Sequence, residues 1–520
     1  MQVKPCRGQV STTICEALDV DLAATRHDPS TAWSGRRPAV GDQGKDAACC
    51  ANLHRRDVFL TSNNSGRCGV SARRRLVDEQ GQRIAALLVG DSQCGGASAC
   101  ALENAGMIGA RQDRMQLGCR FQHARRREDR PMTVDVEAIR TVEVPTRIVH
   151  GPGAIGRLGE VIAELGVKCP LLVTDAGVVE AGLAEKALAQ LSGAVVFAEV
   201  RANPDIALID RGAAVYRERG CDGLVAIGGG SPMDAAKSIG VVIRHGGSIR
   251  QYEWGHDPIE SRVPPLAVVP TTAGTGSEVT LWAVVTDRDR GVKFNVGGTP
   301  LIAAHVALID PELMVALPPG VTAATGMDAL SHAIECYTCD YHQPFNDAVA
   351  LHAMELVGNW LERAVADGTS IAARTAMAHA AMLGGMAYGT ESAGAAHAMS
   401  QSAGGVHDCS HGALTARLLG PVCSFNAQAS PERYARIAQA LGVQVAGLDA
   451  LDAAMAGVTE LDRLANAIGI PTMRELGFSE DEIPLLARIA FEDPQTLGNP
   501  REISGAADYE GIYQAAFAQR

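Results

Sequence analysis

From Val142 onward the apolar residues follow two alternating patterns. CPLLVTDAG (169–177), AVVFAEV (194–200), GLVAIGGG (223–230) and PLAVVPTT (265–272) are short, almost unbroken apolar runs closed by turn residues. Such runs read as strands buried on both faces. Between them, GLAEKALAQL (182–191) and the stretch from Ile206 to Arg219 carry helical spacing, and Asn203-Pro204 supplies a turn. A further helix is expected from Ser231. Strands alternating with helices predict a parallel sheet with right-handed crossovers. From about Pro318 the strand pattern stops and helical text runs to the end, with no internal repeat over 132–520. Residues 1–131 keep neither rhythm. Only IAALLVG (84–90) resembles a buried strand there, and nothing pairs with it. Three segments are therefore expected, 1–131, 132–317 and 318–520.

Composition sharpens this division. A chain of 520 residues with 47% hydrophobic content supports two or three domains with a sizeable core. With 4% aromatics and a net charge of −13, neither base-stacking platforms nor a phosphate-neutralising face is expected, so nucleic acid is excluded as a partner. No run of 18 apolar residues appears, which argues against a membrane span. The N-terminus also lacks the apolar centre of a secretory signal, making the cytoplasm the expected location. The 14 cysteines are scattered, as suits a reducing compartment. Eight of them lie in residues 1–131, where 18 Arg and 2 Lys face 14 acidic residues, giving +6 there and −19 in the remainder. One reading of this composition is a basic, Cys-rich regulatory or metal-binding domain. No Cys pair there has zinc spacing with partners, so a poorly ordered extension, outside the functional protein that would start at Met132, is expected instead.

Three stretches carry candidate chemistry. In GLVAIGGGSPMDAAKSIG, glycines close a strand and a helix follows, with Ser231 as expected N-cap, Pro232 in the first helical position and Asp234 in the first turn. Glycine N–H groups at a helix N-terminus suit a pyrophosphate, although a tight turn without ligand has the same composition. Asp175, just past the first strand, could accept from ribose hydroxyls and favour NAD over NADP. PTTAGTGSEVT crowds Thr271, Thr272, Thr275 and Ser277 among glycines, where hydroxyls and free N–H groups suit phosphate or carboxamide contacts. Further on, Asp328 and His332 are four apart in TGMDALSHAIECYT, on one face of an expected helix. His397 and His411 follow in HAMSQSAGGVHDCSHG, with Gly404 and Gly405 expected to break the helix between them. One oxygen and three nitrogens suit Fe(II) or Zn(II) rather than Mg or Ca. Cys336 and Cys339 form a CxxC on the same helix, with no second pair to complete a zinc site.

With GGGSPMDAAK, PTTAGTGSEVT and GMDALSHAIE in this order, the chain resembles the iron-containing (group III) alcohol dehydrogenases from about Val142 to the end, including the NPRE text from Asn499. The resemblance implies a dehydroquinate synthase-like fold: an α/β nucleotide-binding domain over 132–317, an all-α metal-binding domain over 318–520, and an active site between them. It implies metal ligands at Asp328, His332, His397 and His411, cofactor contacts at Asp175, Gly229, Gly230, Thr271 and Thr272, and further contacts at Asn203, Ser231, Thr275 and Lys293. It implies NAD- and Fe(II)-dependent (or Zn-dependent) oxidation of a small primary alcohol or diol, or reduction of the aldehyde, by a homodimer or larger assembly. Many relatives carry a second histidine four residues after the third ligand. Gln401 stands there and cannot titrate, so either the proton-relay role of that histidine is dispensable or another group takes it, with His407 and Cys409 as candidates. A dehydroquinate synthase-type lyase, a metal-free maleylacetate reductase-like enzyme and a decayed cofactor-binding protein are the alternatives.

Overall fold

The computed structural model describes residues 141–339, 343–388, 393–407 and 409–519, plus a two-residue ladder pairing Thr61–Ser62 with Cys68–Gly69. The extension expected over 1–131 and the strand expected at 84–90 otherwise lie outside the described residues. In chain order the strands are β1 (Arg147–His150), β2 (Pro170–Asp175), β3 (Val195–Val200), β4 (Gly223–Gly228), β5 (Leu266–Pro270), β6 (Trp282–Asp287), β7 (Val292–Gly297) and β8 (Val306–Ile309). Six of them form one parallel sheet in the order β1-β8-β5-β4-β2-β3, and β6 with β7 forms a separate antiparallel hairpin. The connecting helices are α1 (Leu158–Glu164), α2 (Ala176–Glu180), α3 (Leu183–Leu188), α4 (Ile206–Glu218) and α5 (Gly230–His245).

The unbroken apolar runs are explained by burial on both faces. Leu171, Val173, Leu224, Ala226 and Val268 face a core that continues under α4 and α5 and into the helical lobe. Their alternates Leu172, Val225, Ile227, Ala267 and Val269 face a second core beneath α1 to α3. At neighbouring strands β2 and β4 the chain departs in opposite directions, to β3 on one side and β5 on the other. This reversal opens a crevice at the carboxyl ends of the strands, where a parallel sheet binds its ligands.

The helical lobe consists of α6 (Pro319–Thr338), α7 (Pro344–Ala366), α8 (Ile371–Ala387), α9 (Ala395–Val406), α10 (His411–Ala427), α11 (Pro431–Ala440), α12 (Ala450–Ala467), α13 (Ile483–Glu492) and α14 (Ala506–Ala518). α6 is its axis: buried from Met327 to Cys339, it packs against α7, α8 and α10. No helix among the described residues is long and apolar enough to cross a membrane.

Several local expectations need correction. β1, β8 and the β6–β7 hairpin were not anticipated. β1 and β8 have only four residues each, and the hairpin has no long apolar run, since TDRDRG interrupts it. Gly404 and Gly405 do not break the helix, for α9 continues to Val406. A Cβ on Gly405 would lie 2.8 Å from the Gly291 carbonyl oxygen, so glycine here admits the hairpin rather than ending the helix. Ser231 is not an N-cap. Gly229 takes that position, the helix starts at Gly230, and Asp234 falls in the second turn.

Candidate active site

The α6 face places Asp328, His332 and Glu335 one above another at i, i+4 and i+7. His397 approaches from α9, and His411 from the first position of α10. Ligand atoms of Asp328, His332 and His397 lie within 4.8 Å of one another. His397 Nε2 is 3.9 Å and His411 Nε2 3.7 Å from Asp328 Oδ1. The His332 and His397 rings stack with centroids 4.5 Å apart, and His411 is tilted 5.5 Å from His397. Gly412 makes this possible, because a Cβ there would meet the Ala324 carbonyl oxygen at 2.5 Å and hold α10 away from α6.

Among the described residues, the buried atoms Asp328 Oδ1, His332 Nδ1 and His397 Nε2 have no hydrogen-bond partner. Each such orphan costs about 1–3 kcal/mol. Asp328 Oδ1 and His397 Nε2 lie 3.9 Å apart, and one divalent cation shared by these two atoms and a His332 nitrogen would relieve that cost. Burial drives the His332 pKa down to about 3 and also lowers that of His411, next to His397 and Lys293. Both are therefore neutral and able to ligate at physiological pH. Burial opposes charge on His397 as well, but the Glu335 carboxylate outweighs it and raises the pKa. The donor set of one carboxylate and three imidazoles fits a first-row divalent metal.

Several side chains around this cluster escaped the sequence reading. Glu335 accepts a hydrogen bond from His397 Nδ1, and its other oxygen accepts from the Ala396 backbone N–H at 2.6 Å. Tyr388 lies against His332, with ring centroids 5.2 Å apart, and donates to Gln495 Oε1 at 3.4 Å. Asp493 accepts from the Gln495 backbone at 2.9 Å, and burial pushes its pKa up to about 7. Gln401 is a bridge: its Nε2 donates to the Lys293 carbonyl at 3.3 Å, while its Oε1 accepts from Gln495 Nε2 at 3.3 Å. His407 is paired with Glu482 at 2.7 Å. Cys336 and Cys339 are both buried, and the Cys339 thiol donates to the Cys336 carbonyl.

The candidate cofactor residues gather at the carboxyl ends of β2 to β5. Asp175 ends β2 and caps α2, accepting from Val178 N at 2.9 Å. Asn203 follows β3 in a left-handed conformation, φ 58°, before Asp205 caps α4. Gly229, Gly230 and Ser231 form the β4–α5 turn, and Thr271 N donates to the Gly228 carbonyl at 2.9 Å. Thr272 and Thr275 border this turn so closely that a Cβ on Gly230 would meet Thr275 Cγ2 at 2.7 Å. The loop after β5 then reaches the helical lobe. Gly276, at φ +60°, touches the Gly385 backbone of α8, and Gly274 lies on Thr325 of α6. Lys293, on the hairpin, adjoins Gly404 and lowers the pKa of His411. The 271–277 loop thus links the glycine turn to α6 and α8, the first of which carries Asp328 and His332.

Beneath the turn is a buried polar staple. Lys237 Nζ donates to Ser277 Oγ at 3.2 Å, Thr280 O at 3.0 Å and Trp282 O at 2.8 Å. Asp234 accepts from Ser277 Oγ at 2.6 Å and from Val284 N at 3.1 Å. Burial lowers the Lys237 pKa to about 8 and raises that of the neighbouring Glu278 to about 7.

Comparison with known proteins decides the family. The iron-containing alcohol dehydrogenase model matches residues 145–311, and that of the Fe-containing alcohol dehydrogenase C-terminal region matches 322–517. The chain belongs to the iron-containing alcohol dehydrogenase family. Its relatives include a choline dehydrogenase of Bacillus subtilis, 50% identical over 74% of this chain and 96% of that protein. An NAD-dependent methanol dehydrogenase of Bacillus methanolicus is 42% identical over 69% of this chain and 95% of its own length. Among solved structures, a 1,3-propanediol oxidoreductase superposes with a TM-score of 0.70 at 38% identity, over 73% of this chain and all of that one. Within this iron-containing alcohol dehydrogenase family member, Glu335 was the residue most open to discovery from sequence. It lies three positions after His332, on the face that the Asp328/His332 spacing had already defined.

Proposed function

We propose that the chain is an NAD-dependent, metal-dependent alcohol dehydrogenase that oxidises small primary alcohols and reduces the matching aldehydes. The observation that carries this reading is that buried ligand atoms of Asp328, His332 and His397 lie within 4.8 Å of one another, with Asp328 Oδ1 and His397 Nε2 both lacking a hydrogen-bond partner among the described residues. In the proposal Asp328, His332, His397 and His411 hold Fe(II) or Zn(II). When bound, the metal supplies a Lewis acid that favours the alkoxide form of the alcohol, and NAD supplies the hydride acceptor.

The remaining roles belong to the chain. Gly229, Gly230 and Ser231, at the N-terminus of α5, present backbone N–H groups and the positive end of the helix dipole to a pyrophosphate. Asp175 offers acceptors to the adenosine ribose, and Asn203, Thr271, Thr272, Thr275 and Lys293 complete the cofactor contacts. Tyr388, against His332, and the Gln401–Gln495 pair that it joins shield the ligand set from water. The names of the relatives suggest choline, methanol and 1,3-propanediol as alcohols to screen first. In the proposal the chain acts as a homodimer or larger homo-oligomer.

Metal analysis of anaerobically purified protein, coupled to NADH formation from those three alcohols and from short aliphatic ones, tests the reading. A stoichiometric transition metal and net NADH formation support it. A metal-loaded protein that converts none of the alcohols or aldehydes with NAD(H) overturns it. A lyase of the dehydroquinate synthase type would instead turn over without net NADH.

A further inference from the structure

We infer that Glu335 is the positioning residue of the metal site, setting the tautomer and direction of His397 and fastening the start of α9 to α6. The inference rests on the proposed ligand set and adds to it a residue that touches neither metal nor substrate.

His397 has two ring nitrogens with opposite tasks. Nδ1 lies against Glu335 Oε2, while Nε2 faces Asp328 Oδ1 at 3.9 Å with no hydrogen-bond partner among the described residues. A carboxylate can only accept, so Nδ1 must carry a hydrogen, and in the neutral ring Nε2 is the atom that presents its lone pair. The other tautomer would set a lone pair against the carboxylate and a proton where the metal belongs. Glu335 thus fixes which nitrogen keeps its proton when the ring ligates, leaving Nε2 as the atom that gives up its proton to a metal, and its negative charge strengthens the imidazole as a donor.

The second oxygen of Glu335 does a different job. It accepts from the Ala396 N–H at 2.6 Å, one of the free donors in the first turn of α9. Backbone and ring of adjacent residues are therefore both tied to one carboxylate, on the helix that also carries Asp328 and His332. The distance between the two halves of the ligand set is fixed by this single side chain. Gly394 provides the space: a Cβ there would come within 2.9 Å of Glu335 Oε1 and 3.4 Å of Asn499 Oδ1. Asn499 supports the same turn from the other side, bonded to Ala395 N at 3.4 Å and exchanging bonds of 2.7 Å with Asn426.

The test is Co(II) titration of the metal-free full chain, followed by the visible absorption of the bound ion, for wild type, Glu335→Gln and Gly394→Ala. Glu335→Gln keeps the size and removes the charge; Gly394→Ala keeps the carboxylate and displaces it. Co(II) affinity should fall about 10–100-fold in each variant that folds. Saturating Co(II) should restore occupancy, while the urea midpoint of the metal-free protein falls modestly with the lost hydrogen bonds. Wild-type Co(II) affinity in either folded variant overturns the inference. So does a lower urea midpoint of the metal-free protein with unchanged affinity, since that marks a purely structural residue. The proposed ligand set fails separately, if wild type itself takes up no Co(II).

Discussion

The two lobes build their halves of the cleft from different materials. In the α/β lobe the prepared groups are mainly backbone: the Gly228–Gly230 turn, the first N–H groups of α5 and the strand ends at Asp175 and Thr271. In the helical lobe they are side chains, three imidazoles and one carboxylate on three helices, with Glu335 as their brace. A backbone site depends on what may not be added to it, and a side-chain site on what may not be removed. Each lobe therefore has its own characteristic damaging mutation.

The largest expected effect is truncation on the helical side. His397→Ala removes one proposed ligand and leaves the Glu335 carboxylate buried without its ring partner. Turnover should fall by about three orders of magnitude or more, ~4 kcal/mol in barrier, with loss of bound metal. NAD binding, measured by fluorescence titration, should survive, because α5 and the strand ends are untouched. Loss of both ligands together would show that the two halves do not act separately.

Next is addition on the α/β side. In Gly230→Ala the new Cβ would be 2.7 Å from Thr275 Cγ2 and 3.0 Å from its Oγ1. The turn and the 271–277 loop must separate, so the dissociation constant for NAD should rise about 10–100-fold, ~1.4–2.8 kcal/mol. Metal content should match that of wild type. Equal metal loss would mean that the loop carries the strain across to α6 and α8 through Gly274 and Gly276.

The contrast also explains what the sequence could reveal. Strands buried on both faces leave unbroken apolar runs, so β2 to β5 and the turns at their ends were readable in order. Asp328 and His332 were readable because one helix carries both at a four-residue spacing. The hairpin was not, since its packing is tertiary: Lys237, buried in α5, holds β6 through the Trp282 carbonyl, and Gly405 admits the turn at Gly291. Gly404 and Gly405 misled for the same reason. Glycine within a helix looks like a break until the neighbour it admits is known. Glu335 lies on the face that Asp328 and His332 define, but only the arrival of His397 from α9, 62 residues away, gives it a task.

A smaller effect concerns how the two materials are joined. Glu278 sits buried beside Lys237, with its pKa raised from 4.5 to about 7, chiefly by burial. The folded state therefore binds the Glu278 proton more tightly than the unfolded chain does. This contribution to stability is complete below about 4.5 and is lost as pH rises through about 7. Glu278→Gln, neutral throughout, should flatten that decline and unfold at higher urea at pH 8, by about 1–2 kcal/mol. Urea titrations of the metal-free protein at pH 4.5 and pH 8 measure it. An unchanged slope would mean that Lys237 holds the glutamate charged in spite of its burial.

The smallest expected effect concerns the residue that belongs to both lobes. Gln401 stands on α9, one turn beyond His397, yet its amide reaches Lys293 O on the hairpin and Gln495 beside Asp493. Both of its hydrogen bonds are 3.3 Å long, and a bond of that kind contributes about 0.5–1.5 kcal/mol net. Gln401→Ala should cost about 1–2 kcal/mol of stability and lower kcat less than tenfold, with metal content kept. A titratable group at this position would alter the pH dependence of turnover, so Gln401→His gives the complementary measurement: a new inflection in the kcat–pH profile that wild type lacks. If Gln401→Ala instead loses its metal, the clasp between the lobes also supports the ligands, and the division between a backbone half and a side-chain half no longer describes the cleft.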